Sequence, residues 1–80
     1  MMSEKLYSIV SKVMSVPISR VNDKSGPETI DSWDSFNGLV LVDKLENDFQ
    51  VTFTLEEILD VKTVEDIKRH LKNHGVEFND

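Results

Sequence analysis

Asp34-Ser35-Phe36-Asn37-Gly38-Leu39-Val40-Leu41-Val42-Asp43-Lys44-Leu45-Glu46-Asn47-Asp48-Phe49 is the stretch on which the fold turns. With Phe36 at zero and an advance of about 100° per residue, Leu41, Val42, Leu45 and Phe49 gather on one side. Phe36, Leu39 and Val40 gather nearly opposite, with Asp43 among them and Glu46 at their flank. Asp34 is the natural N-cap, so a helix is predicted from Ser35 to about Asp48. A helix with one buried face needs only the first cluster. For the second there are two readings. The preceding loop folds over Phe36 and Leu39, which is the more frequent arrangement, or the cluster is an exposed patch for a partner or an acyl chain. Leu39 and Val40, set among acidic residues, fit a docking surface better. Gly38 costs about 1 kcal/mol against Ala in mid-helix. It falls on the core side, where close approach of another backbone is the expected reason for it.

Upstream, Leu6, Ile9, Val10 and Val13 recur at i, i+3, i+4 and i+7 and predict a helix from about Ser3 to Met14, with Ser3 as N-cap. Pro17 bars its continuation. The connection from Ser15 to about Asp34 is rich in Ser, Asn, Asp, Pro and Gly, and longer than helix–helix loops usually are. Val16, Ile18, Val21 and Ile30 are expected to pin it to the core. Downstream, Thr54-Leu55-Glu56-Glu57 is a capping box opening a short third helix to about Leu59. Thr63-Val64-Glu65-Asp66 opens a fourth in the same manner, with Val64, Ile67 and Leu71 as its buried stripe and Gly75 as its stop. Gln50–Thr54 alternates briefly, but nothing else could pair with it as a strand. The fold expected is all-α: a four-helix bundle of three longer helices and a short third one, with a long loop between helices one and two.

At 80 residues the chain is expected to be one domain, residues 1–80. A chain this short buries only about 60–65% of its unfolded surface, which leaves little stability for a deep active site. It has no cysteine, hence no disulfide or thiolate metal site. The start lacks the basic and apolar runs of a signal peptide, and no apolar run approaches the roughly 18 residues that span a bilayer. A cytoplasmic, monomeric protein without membrane insertion is expected. The net charge of −6 disfavours nucleic acid and suits encounter with basic patches on other proteins, although acidity also serves simple solubility.

Asp34-Ser35-Phe36, followed by Leu39, Leu41-Val42, Leu45-Glu46 and Phe49, resembles the modification motif of acyl carrier proteins. In that family an Asp-Ser-Leu tripeptide opens the second helix. The openings of the third and fourth helices match as well, so the resemblance covers essentially the whole chain. It implies that the Ser35 hydroxyl receives 4′-phosphopantetheine from coenzyme A, with Asp34 in support. It further implies that Phe36, Leu39, Val40, Asp43 and Glu46 form a partner-docking face. The implied partners are a phosphopantetheinyl transferase, an acyl- or aminoacyl-loading enzyme, and a downstream synthase or transferase. Asp31-Ser32 is a second Asp-Ser pair, but Ser35 is the one at the family distance from Leu45-Glu46 and Phe49. Ile30-Asp31-Ser32-Trp33 stands where fatty-acid carriers often have Gly, and Asp43 where they often have an apolar contact residue. The Trp before Asp-Ser looks more like carriers of specialised pathways, and both departures speak against housekeeping fatty-acid synthesis. The cargo itself is not legible.

Other chemistries fare worse. A serine hydrolase would need a base beside Ser35. The only histidines, His70 and His74, lie far along the chain, and no Gly-x-Ser-x-Gly elbow is present. The two histidines share a helix face at metal-ligand spacing but lack a third ligand, and read better as solvated imidazoles near a helix C-terminus. With Gly26 at loop position 6, an EF-hand would have Val21 and Ser32 at its first and last positions. The rival that survives is an unmodified helical interaction module with the carrier fold.

Overall fold

Leu6 and Val10, both fully buried, begin the stripe that seats the first helix, and Met14 rather than Val13 completes it. Positions 6, 10 and 14 follow an i, i+4 row, whereas Val13 lies at its edge and is only partly buried. The computed structural model describes residues 2–78. Its helices are α1 (Met2–Met14), α2 (Ser35–Phe49), α3 (Leu55–Asp60) and α4 (Val64–Asn73), with no strand among the described residues. The all-helical four-helix expectation therefore holds.

Helix α1 starts before Ser3, which lies inside its first turn and is buried instead of serving as the N-cap. Its end is set locally, two residues short of Pro17. Ser15 turns left-handed at φ 57°, and the Val16 N–H reaches back to the Ser11 carbonyl at 3.1 Å.

The long connection is a packed strap. It holds a 3₁₀ turn at Ile18–Arg20 and a hydrogen-bonded run in which the Ser25 Oγ accepts from the Asn22 N–H and the Thr29 Oγ1 from the Gly26 N–H. Val21, Ile30 and Trp33 sink into the core and Val16 lies partly buried. Ile18 does not help; it is half exposed, because the 3₁₀ turn that carries it buries none of its residues. The strap also meets the start of α4, where the Val64 and Glu65 N–H groups donate to the carbonyls of Ser25 and Asp23, each at 2.9 Å. Tyr7, Asp23 and Lys68 add a polar junction of α1, strap and α4. The Tyr7 hydroxyl donates to Asp23 at 2.6 Å, and the Lys68 ammonium reaches Asp23 at 2.8 Å and Tyr7 at 3.1 Å.

Helix α2 buries Leu41, Leu45 and Phe49. It ends at Gln50, left-handed at φ 57°, and the Val51 N–H returns to the Glu46 carbonyl. The capping box of α3 forms as read. Thr54 Oγ1 accepts from the Glu57 N–H at 3.1 Å, and the Glu57 carboxylate accepts from the Thr54 N–H at 2.8 Å. At α4 the Asp66 carboxylate accepts from the N–H groups of Thr63 and Lys62. Val64, Ile67 and Leu71 are its buried stripe. Gly75, at φ 92°, ends it, with the Val76 N–H on the Leu71 carbonyl and the Gly75 N–H on that of Lys72.

Candidate functional site

The site grows from the way α2 begins. Asp34 is extended, and its Oδ1 accepts from the Asn37 N–H at 2.8 Å, fixing the cap. Ser35 is thereby the first helical residue and is exposed. Its hydroxyl has no partner among the described residues, and neither do the N–H groups of Ser35 and Phe36, which point out of the positive end of the helix. Ser32 is differently placed. It is half-buried, its hydroxyl donates to the Met14 carbonyl at 2.6 Å, and its own carbonyl accepts from the Asn37 side chain and the Asp34 N–H.

Beside Ser35 opens a cleft of about 590 Å³ whose walls come from α2, α3, α4 and the end of the strap, with Phe53 and Val61 from the connections on either side of α3. Trp33, Leu41, Val42, Phe53, Ile58 and Ile67 make it mostly apolar, and Asp34, Ser35, Glu57 and His70 are its ionisable or hydroxyl-bearing residues. So small a chain was expected to have little room for this. The cleft exists because α3 is too short to pack closely: none of its six residues is buried.

A family model described as phosphopantetheine attachment site matches residues 4–71, nearly the whole of the bundle. The chain belongs to this family. Such carrier domains bear a covalently attached 4′-phosphopantetheine and are not themselves catalysts. A comparison with curated proteins finds no match. The head of α2 fits the group: a free hydroxyl, unpaired N–H groups to face a phosphodiester, and an apolar cleft alongside.

In this carrier the face of α2 read as a docking surface is uncovered. Phe36 is 74% exposed, Leu39 61% and Val40 40%, and Asp43 is exposed too. The strap does not fold over Phe36, because its large apolar residues, Ile30 and Trp33, are spent in the core. Glu46 is half-buried, and its carboxylate already accepts from the Phe53 N–H at 2.8 Å, which steadies the α2–α3 turn. Leu55 and Leu59, both exposed, extend the apolar surface onto α3. Sequence reading missed them, although their i, i+4 spacing on so short a helix was the available signal.

The histidines of the carrier are not freely solvated as expected; they tether α3. His70 Nε2 lies 2.9 Å from Asp60, and Arg69 reaches the same carboxylate at 2.6 Å. His74 Nε2 lies 2.9 Å from Glu57 and its ring meets Phe53 edge-on. The Thr54 N–H and then His74 hold the Glu57 carboxyl below its ordinary range, and His70 does the same for Asp60 with help from Arg69. His70 and Ser35 line one cleft despite their distance in the chain. His70 makes no hydrogen bond to Ser35, and its other nitrogen is buried 3.5 Å from Glu57. His70 is therefore engaged with α3 and not placed as a base for Ser35. Among the described residues no group of three His, Cys, Asp or Glu could hold a metal ion, and no helix is long and apolar enough to cross a membrane.

Proposed function

We propose that the chain is an acyl, peptidyl or aminoacyl carrier protein, a single domain over residues 1–80, loaded at Ser35. The observation that carries this reading is the exposed, unpartnered Ser35 hydroxyl at the head of α2, set against the committed hydroxyl of Ser32. On a phosphopantetheinyl transferase, Ser35 Oγ attacks a phosphorus of the coenzyme A pyrophosphate. The new O–P bond forms as the pyrophosphate bridge breaks, the nucleotide half departs with its phosphate, and the hydroxyl proton passes to the transferase or water. The N–H groups of Ser35 and Phe36 and the helix dipole then favour the phosphodiester by about 0.3–1 kcal/mol. Asp34 opposes it slightly through like charge, but orders the turn and is, by family resemblance, read by the transferase. The arm's terminal thiol holds cargo as a thioester, and tethering raises cargo concentration at whichever enzyme has docked.

Phe36, Leu39, Val40 and Asp43 form the docking face, with Glu46 at its inner edge. Basic patches on a loading enzyme and on a downstream synthase or transferase are its counterparts, drawn by the net charge of −6. Ile30-Asp31-Ser32-Trp33 and Asp43 favour a specialised biosynthetic pathway, and a cytoplasmic monomer suits the acidic, cysteine-free chain.

Co-expression with a broad-specificity phosphopantetheinyl transferase, read by intact mass, tests the assignment. Wild type and Ser32→Ala should each gain one phosphopantetheine and Ser35→Ala none. An unmodified wild type would hand the case to the interaction module. Asp43→Lys should lower kcat/KM of a cognate loading enzyme several-fold with the helical signal unchanged; equal kinetics would remove Asp43 from the docking face.

A further inference from the structure

Two features of the cleft lining are unexplained by packing or by attachment. Gly38 is the fourth residue of α2, and Gly within a helix costs up to about 1 kcal/mol against Ala. The close backbone approach that would justify it is absent. Outside its own turn of helix and chain neighbours, a Cβ at Gly38 would meet only one atom within 4 Å, the indole nitrogen of Trp33 at an ordinary 3.8 Å. The second feature is that nitrogen. Trp33 is 6% exposed and its backbone N–H donates to the Ile30 carbonyl, yet its indole N–H donates to no acceptor among the described residues. Buried indole N–H groups usually find a partner. Among the described residues, the one side-chain nitrogen or oxygen both fully buried and unpaired is His70 Nδ1. The indole nitrogen must therefore keep some accessible surface. Trp33 and Gly38 both line the cleft, as do Asp34 and Ser35.

We propose that the Trp33 N–H, left uncovered by the missing side chain of Gly38, is a hydrogen-bond seat for a carbonyl oxygen of the group tethered to Ser35. This rests on the loading of Ser35 proposed above. The ligand chemistry is a neutral carbonyl acceptor, from an amide of the arm or from the acyl thioester at its end. The seat gives Gly38 a reason that packing does not. Any side chain there would stand against the indole nitrogen and narrow the way to it. Trp33 is held for the task by its burial in the core, one residue before the cap that orients Ser35. It is a positioning residue, since it touches the cargo without entering its transfer.

The chain has one tryptophan, so its indole N–H gives a single ¹H–¹⁵N resonance. This resonance should be followed in unmodified, arm-loaded and acyl-loaded protein, with intact mass recorded for each. A downfield shift and slower solvent exchange on arm loading assign an arm amide as acceptor. The same change only on acylation assigns the thioester. In Gly38→Leu, and in Gly38→Ala should the larger residue unsettle α2, the arm should still attach but the resonance should stay at its unmodified position. A wild-type resonance unmoved by both loadings, with the added mass confirmed, means that water alone serves the N–H and overturns the seat while sparing the carrier reading. No added mass on wild type overturns both.

Discussion

Gly26 lies so close to the α3–α4 turn that a Cβ would collide with the Lys62 carbonyl and crowd Thr63 Cα at 3.4 Å. Backbone cannot move aside as a side chain can, and the strap is stitched there by the N–H groups of Val64 and Glu65. Gly26→Ala should therefore cost about 1–3 kcal/mol, as overpacked sites do. A shift of the denaturation midpoint at unchanged slope would report it; an unshifted midpoint would mean the turn yields freely. Sequence alone suggests the reverse, with Gly26 as turn punctuation and Gly38 as a point of close packing. Composition around Gly26 announces a loop, but only the folded chain shows what lies across from it.

Helix α3 depends more than any other element on side chains elsewhere. Its capping box was readable, since both partners lie within four residues. What holds it is not local: Asp60 leans on Arg69 and His70, and Glu57 on His74. The double variant His70→Ala, His74→Ala should leave α1, α2 and α4 intact and speed amide hydrogen exchange over residues 55–60 several-fold. Undiminished protection would mean that the Arg69–Asp60 pair and the packing of Ile58 and Phe53 seat α3 without the histidines. The pairs escaped sequence reading because ten residues separate Asp60 from His70, and seventeen separate Glu57 from His74. No local spacing rule reaches that far.

Across the whole molecule, charge pairs bridge elements that apolar packing alone would leave loose. Asp23 is held below its ordinary range by Lys68 and then Tyr7, and Glu57 and Asp60 are lowered as described. Carboxyls depressed in the native state stabilise it above their unfolded values, and that contribution is lost as pH falls through their native ones. At the other end, burial and then Asp23 raise Tyr7. Lys68 is raised too: burial pulls it down, but the bonds to Asp23 and Tyr7 outweigh it. Their share is present below the ordinary values of 10.0 and 10.5 and is lost above them. Urea midpoints should thus hold between about pH 5 and 9 and fall on both sides. A midpoint flat below pH 4 would show that these carboxyls contribute nothing. Relief of self-repulsion as the net charge of −6 is neutralised works the other way, but at physiological salt it is screened beyond about 8 Å, whereas the Lys68–Asp23 contact is 2.8 Å.

Helix number, the caps of α2 and α3, the stripes of α2 and α4 and the exposed start at Ser35 were determined by the sequence alone. Each depends on residues a few places apart along one chain segment, where periodicity and capping act. Tertiary structure alone decided that Ile30 and Trp33 turn inward and leave Phe36 uncovered, that α3 stands off to open a cleft, and that the histidines clasp it. Those outcomes depend on which surfaces meet when distant segments compete for the same limited core, and no short window of sequence contains that competition.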